Sequence, residues 1–339
     1  MQNDSDTVRH PAYSRRDTMR LFGIAGLGAL LGSAASAGAK DVSNATAADL
    51  QGAGFYRRRI GQAEVVLLSD GGFPMDPVAL FGEVPSHEME AARRSAFHTA
   101  ATVPGHVNAL MVCEGSNVIL IDTGCGSLFG PATGFLSRNL TRAGVSANDV
   151  THVILTHAHP DHIGGLVGAD EKLAFPKARI VINRAEHDFW TQPAPTMSKS
   201  RAPAEMQAMV IDVAKRVFAI AQPKVELVKP CDKVGAAITI VDAAGHTPGH
   251  VALGIESGGE SMIYVTDAVH IPSLQLANPG WHVLYDADPE QAVETRRMIL
   301  AKAAAERMII AGAHIPFPAT GNLVADGEGY RFVPAIWEW

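Results

Sequence analysis

Thr156-His157-Ala158-His159-Pro160-Asp161-His162 places three imidazoles and a carboxylate within six residues. The run before it, Val153-Ile154-Leu155, is apolar and mostly β-branched and reads as a buried strand. The run after it, Ile163-Gly164-Gly165-Leu166, reads as a tight turn with a helix. Ligand-type residues thus stand where a strand gives way to a loop, the usual seat of reactive groups on a rigid scaffold. In an extended or turning segment His157 and His159 can grip one metal ion. Asp161 and His162, at the start of the following helix, can face a second. Pro160 fixes φ and can open that helix without losing a needed N–H. Neutral imidazole with carboxylate suits zinc foremost, and also manganese, iron and cobalt.

Working outward, the same grammar recurs three times: a buried strand, then a ligand-type residue at its exit. Gly245-His246-Thr247-Pro248-Gly249-His250 follows the strand 238–241. Asp267 ends the strand 262–266, and Ala313-His314-Ile315-Pro316 follows the strand 308–310. His246 and His314 add imidazoles, and Asp267 can place one oxygen on each of two ions. His250 begins the next strand, so its ring is expected to point elsewhere. His270, three residues past Asp267, is expected to line a pocket. Asp122 ends another strand before Thr123-Gly124, and two readings fit it equally: a turn-former, or a carboxylate hydrogen-bonding a metal-bound histidine from behind.

The rest of the chain fills in a large α/β architecture. With 339 residues, 47% of them hydrophobic, there is material for a large core. A net charge of −7 and only 6% aromatics, with no basic stripe, argue against nucleic acid as a partner. Structure is expected to begin near Phe55, with a strand closing in a turn at Ser69-Asp70-Gly71-Gly72. A Pro-punctuated loop over 73–104 then carries a short helix at 88–97 over or beside the site. His87, His98 and His106 in that loop read as surface or packing residues. A hairpin joins 107–113 to 117–122, helices are expected over 128–143, 204–221 and 288–307, and a further strand over 179–183. Trp190 opens a Pro-rich loop, 191–203, where an aromatic fits a pocket wall and the core equally. The three cysteines, Cys113, Cys125 and Cys231, support no disulfide framework.

The N-terminus reads as an address. Ser14-Arg15-Arg16-Asp17 precedes an apolar, glycine-rich run, Leu21 to Leu31, and small-x-small cleavage sites at 35–37 and 37–39. This resembles a bacterial twin-arginine export signal. The run is too short and too glycine-rich for a stable membrane span. The expected division is a signal over 1–39, a linker over 40–54 and a single catalytic domain over 55–339, in a periplasmic or secreted protein handled by the twin-arginine machinery.

His157-x-His159-x-Asp161-His162 with His246, Asp267 and His314 resembles the ligand set of the metallo-β-lactamase superfamily. The resemblance implies a four-layer αββα sandwich with metals at one edge. It puts His157, His159 and His246 on one ion, Asp161, His162 and His314 on the other, and Asp267 between them. Two ions about 3.5–4 Å apart would share a hydroxide that attacks a carbonyl carbon or phosphorus, with Asp161 and Asp267 as the catalytic carboxylates. Leu128-Phe129-Gly130-Pro131, Asp188-Phe189-Trp190, His314-Ile315-Pro316-Phe317-Pro318 and Gly329-Tyr330-Arg331-Phe332 are similar to the branch of methyl parathion hydrolase and its lactonase-like relatives. That branch implies a homodimer and a small-molecule substrate in a pocket walled by Phe129 and Trp190. Two departures stand out. The third aromatic expected after Pro203 is absent, with Met206 or Met209 nearby, and His270 replaces an aliphatic residue. The expectation is therefore a hydrolase of lactones or aryl esters, with organophosphate triesters, thioesters or β-lactams as alternatives. The bridging Asp267 argues against a β-lactamase, and His159 in place of Glu argues against the di-iron oxidoreductases. A complete ligand set argues against a purely binding role.

Overall fold

The computed structural model describes residues 54–337. The export signal 1–39, and the linker 40–54 apart from Gly54, lie outside them. In chain order the strands are β1 (Phe55–Ile60), β2 (Ala63–Met75), β3 (Val103–Glu114), β4 (Asn117–Ile121), β5 (His152–Leu155), β6 (Arg179–Asn183), β7 (Val225–Val228), β8 (Lys233–Val234), β9 (Ile238–Asp242), β10 (Val251–Ser257), β11 (Glu260–Tyr264), β12 (Ile309–Ala311), β13 (Thr320–Asp326) and β14 (Gly329–Pro334). The helices are α1 (Pro77–Leu80), α2 (Ser86–Ser95), α3 (Leu136–Arg142), α4 (Pro160–Ile163), α5 (Arg184–Thr191), α6 (Ala204–Ala221), α7 (Pro272–Gln275) and α8 (Pro289–Ala305).

Two mixed sheets result. One runs β1 to β7 in order, antiparallel up to β4 and parallel from β4 to β7; the other runs β14 to β8 in order, with β11 and β12 its parallel pair. β2 shows why they stack. Its run Val65-Val66-Leu67-Leu68 is fully buried on both faces, because successive side chains point to opposite sides. Val65 and Leu67 pack between the sheets with Ile240, Leu253 and Met262. Val66 and Leu68 join the outer core, with Leu136 and Leu140 of α3 and Val210 and Phe218 of α6. On the far side, Ile299, Leu300 and Ala303 of α8 cover the second sheet. These layers form the expected αββα sandwich as one domain.

Two elements differ from expectation. β2 does not end at Gly71-Gly72; a bulge between Ser69 and Gly71 lets it pair onward to Met75 against Val103. The helix expected over 128–143 begins only at Leu136, because Gly130 and Gly134 take left-handed φ of 85° and 82° that a helix excludes. Among the described residues no helix is long and apolar enough to cross a membrane. Cys113, Cys125 and Cys231 are free.

Candidate metal centre

The ligand-type residues meet at one edge of the sandwich. His157, His159, Asp161 and His162 leave β5, Asp267 leaves β11, His314 leaves β12, and His246 comes from the β9–β10 turn. Pro160 is the first residue of α4, with His159 extended before it. Two groups form, His157, His159, His246 and Asp267, then Asp161, His162, Asp267 and His314. The ligand atoms within each group lie within 4.8 Å of one another. Asp267 stands between the groups. Its Oδ1 is 2.9 Å from His162 Nε2. Its Oδ2 is 3.1 Å from His314 Nε2, 3.4 Å from His246 Nε2 and 3.7 Å from His157 Nε2. Asp161 Oδ2 lies 3.5 Å from His314 Nε2 and 3.6 Å from His162 Nε2.

Hydrogen bonds behind the rings decide which nitrogen faces inward. His314 Nδ1 donates to the His106 carbonyl at 2.6 Å. His162 Nδ1 donates to Asp122 Oδ2 and His246 Nδ1 to Asp286 Oδ1, each at 2.8 Å. Thr156 gives its hydroxyl proton to Asp122 at 2.8 Å, so its oxygen can accept from His157 Nδ1 at 3.2 Å. Each ring therefore turns an Nε2 lone pair inward when neutral. Inside, Nε2 of His157 and of His162 and Oδ1 of Asp267 are buried without a hydrogen bond. His246 Nε2 sits 2.9 Å from His159 Nδ1. Converging lone pairs with orphaned buried atoms are costly unless a cation satisfies them. The residues fit a two-metal site with His and Asp ligands.

Electrostatics agree. Burial lowers His157 and His159 well below the ordinary imidazole range, and the neighbouring histidines add to that. Burial acts the same way on His162, but Asp267, Asp161 and Asp122 outweigh it and hold that ring well above its usual value. Asp267 and Asp286 likewise raise His246 to about 9 against its burial. Burial would raise the Asp267 carboxyl, yet His162, His314 and His157 pull it far down. The pocket demands positive charge, and cations can supply it in place of protons.

The supports divide into those visible in sequence and those hidden from it. Asp122 serves both anticipated roles: its φ is +61°, and its carboxylate accepts from Thr156 N, Thr156 Oγ1 and His162 Nδ1. His250 stands outside both ligand groups but packs against them, its ring 5.0 Å from His157 and 5.5 Å from His246 between centroids. Its Nδ1 donates to the Ala243 carbonyl, leaving Nε2 to accept from Thr266 Oγ1, beside Asp267. Thr266 is held at φ +47°, unusual for a β-branched residue. Glu186, Asp286, Tyr285 and Arg296 were not anticipated. Buried Glu186 accepts from Ala158 N, Trp190 Nε1, Thr247 Oγ1 and Gly249 N, tying both histidine loops to α5. A Cβ on Gly249 would fall 2.1 Å from Glu186 N, so only glycine allows that approach. Asp70 is buried too, and accepts from Cys125, Gly134 and Leu136 N–H groups beneath the loop that carries Phe129.

A cavity of about 340 Å³ opens on the centre, with His159, Asp161 and Asp267 on its floor. Phe129 lines it as expected, stacked on Phe73 with centroids 5.1 Å apart. Met206 lines it as well, while Met209 packs in the outer core. Tyr285 and Leu284 form part of the remaining wall. Trp190 is a correction to the expected pocket wall. α5 runs on to Thr191, turning the indole inward to bond Glu186, so Trp190 is fully buried behind His159, 6.0 Å between centroids. His270 is buried rather than cavity-lining. Its ring stacks on His314 and its Nε2 is 3.2 Å from Asp267 Oδ2.

Comparison with known proteins agrees with this geometry. The family model described as metallo-beta-lactamase superfamily matches residues 102–314. A probable metallo-hydrolase of Mycobacterium tuberculosis is 28% identical over 222 residues, 57% of this chain; the chain spans 65% of that relative's length. AidC, a dizinc quorum-quenching lactonase solved with a product, is 30% identical with a TM-score of 0.80, covering 84% of this chain and 98% of that one. The hydrolase AbOPH is 31% identical with a TM-score of 0.78, covering 85% and 99%. This chain belongs to the metallo-β-lactamase superfamily.

Proposed function

We propose that the chain is an exported metal-dependent hydrolase that opens lactones or cleaves aryl esters. Its two divalent cations, zinc foremost, would be held by His157, His159 and His246 and by Asp161, His162 and His314, with Asp267 shared. The observation that carries this reading is the floor of the cavity: His159, Asp161 and Asp267 face a space whose largely apolar wall includes Phe73, Phe129, Met206, Leu284 and Tyr285, with Asp76 and Thr102 its other polar members. The similarity to AidC, itself a dizinc lactonase, supports it. Export rests on the twin-arginine stretch, Ser14-Arg15-Arg16.

Bound cations supply Lewis acidity and water ionised near neutral pH. The protein's own groups do the rest. The Phe73–Phe129 stack offers a flat apolar face to an acyl chain or aromatic ring, and Leu284 and Tyr285 help to exclude bulk water. Asp267 Oδ1, which has no hydrogen-bond donor of its own, is placed to take the proton that the attacking water gives up. The same carboxylate can then hand that proton on to the departing oxygen, with Asp161 beside it on the cavity floor. A phosphotriester with an aryl leaving group is the second reading, favoured by that aromatic stack. The test is a panel of an aromatic lactone, an acyl-homoserine lactone, an aryl ester and methyl parathion, with metal content assayed on the same sample. A dominant lactone or ester rate with about two metals per chain is expected. A dominant methyl parathion rate would install the second reading, and turnover by metal-free protein would overturn both.

A further inference from the structure

Helix α8 carries a charge that the metal groups do not use. Arg296 is fully buried on a face shared with the core residues Ile299, Leu300 and Ala303. A buried guanidinium is costly unless its donors are taken up. Here Nε donates to the Ala268 carbonyl at 2.5 Å, and Nη1 to the Pro279 and Trp281 carbonyls at 3.0 and 2.9 Å. Asp286 Oδ2 lies 3.9 Å from Nη2. Both ends of this arrangement reach the site. Ala268 follows Asp267 in the chain. Asp286 orients His246 through Oδ1, while Ala287 N and Asp288 N donate to the His246 and Gly245 carbonyls at 3.0 and 2.9 Å. The residue before Asp286 is Tyr285, whose ring stands 5.8 Å from His246 and 6.1 Å from His159 while lining the cavity.

We propose that Arg296 and Asp286 are a positioning pair that clamps the 279–288 segment. One clamp would then set both how firmly the His157–His159–His246 group binds its cation and where Tyr285 stands against the substrate. The substrate half of this inference rests on the hydrolase reading above; the cation half needs no substrate. The fork is what matters: a lysine keeps the charge but cannot hold three carbonyls in one plane.

The test uses the full chain, the parent and the variants Asp286→Asn and Arg296→Lys. Each is titrated with zinc against a chromogenic chelator to give two successive binding constants, and KM and kcat are then measured on the fastest substrate of the panel. Asp286→Asn is expected to weaken one constant by about 10–100-fold and leave the other within a few-fold. Arg296→Lys is expected to weaken that same constant and to raise KM about tenfold, more than it lowers kcat. A folded Arg296→Lys with parental constants and parental KM would show that the arginine only holds the helix in place, and would overturn the proposal. Should Arg296→Lys fail to fold, Asp286→Asn decides: unchanged constants overturn the clamp and a selective loss supports it. Zinc binding is read without substrate, so a failure of the lactone reading and a failure of the clamp are distinguishable.

Discussion

The two cation groups share Asp267 but differ in how deeply they are set. His157, His159 and His246 are all buried, whereas Asp161 in the other group keeps 13% of its side chain exposed, on the cavity floor. Their backing differs too. The first group leans on side chains, Asp286 behind His246 and Thr156 behind His157. The second combines the Asp122 carboxylate behind His162 with a main-chain carbonyl, that of His106, behind His314. A carboxylate open to solvent is both a contact for substrate and an exit for an ion. The expectation from this difference is that the buried group gives up its cation more slowly than the other.

The most severe way to break this contrast is His159→Ala. Partners behind a metal ligand are worth about 10–100-fold, so losing the ligand itself should cost more than about 100-fold in turnover. Elemental analysis should show cation lost from the purified variant, and full turnover at normal metal content would refute the assignment. Asp122→Asn sharpens the contrast: it should weaken zinc binding about 10–100-fold in the Asp161 group, through His162, and by less in the buried group, which Asp122 reaches only through Thr156 and His157, read as two constants in a chelator titration. His270→Leu removes a buried ring beside Asp267 without removing an assigned ligand. It should shift the ratio of phosphotriester to lactone turnover about tenfold toward the phosphotriester, at unchanged metal content. Timed chelation of the parent should release one cation several-fold faster than the other, on the reasoning that an exposed ligand opens first; a single release phase would erase the contrast.

The smallest effect concerns the loop beside Asp122. Burial raises the Asp70 carboxyl to about 6, its backbone donors only partly opposing this, against 3.8 in the ordinary case. Between those values the folded protein keeps a proton that the unfolded chain has lost. The stability this contributes is complete below about pH 4 and fades as pH rises through about 6, with a slope on the order of 1 kcal/mol per pH unit. Asp70→Asn should flatten that slope in denaturant titrations of metal-free protein.

The seven ligand candidates were legible because their signal is local: a strand, an exit, an imidazole or carboxylate. Their supports were not. Asp286 reaches His246 from 40 residues away, and nothing near it in sequence distinguishes it from a surface carboxylate. The His106 carbonyl has no sequence signature at all, and reading His106 as a packing residue missed what its main chain does. Glu186, among Arg184, His187 and Asp188, looks like part of a solvated helix start, yet it is fully buried. Trp190 followed the core reading rather than the pocket wall that the branch resemblance implied, because its indole N–H takes the acceptor that Glu186 provides. The layers came from the family resemblance; the residues alone showed buried strands such as Val65 to Leu68, and not the order in which the strands pair. The misread bounds, the early end given to β2 and the long helix before α3, both turn on glycines whose φ only the folded chain reveals.

Glu186 also bears on how the molecule is assembled. Its four donors come from Ala158, Trp190, Thr247 and Gly249, at sequence separations of 28, 4, 61 and 63 residues. Such a knot cannot form until α5 has met loops from both sheets, so its closure belongs late in folding, after long-range chain entropy has been surrendered. Once tied, it needs no ion. The histidine loops are joined there by protein atoms alone, so protein stripped of metal by exhaustive chelation is expected to keep this junction, read as retained protection of the Ala158 and Gly249 amides from hydrogen exchange.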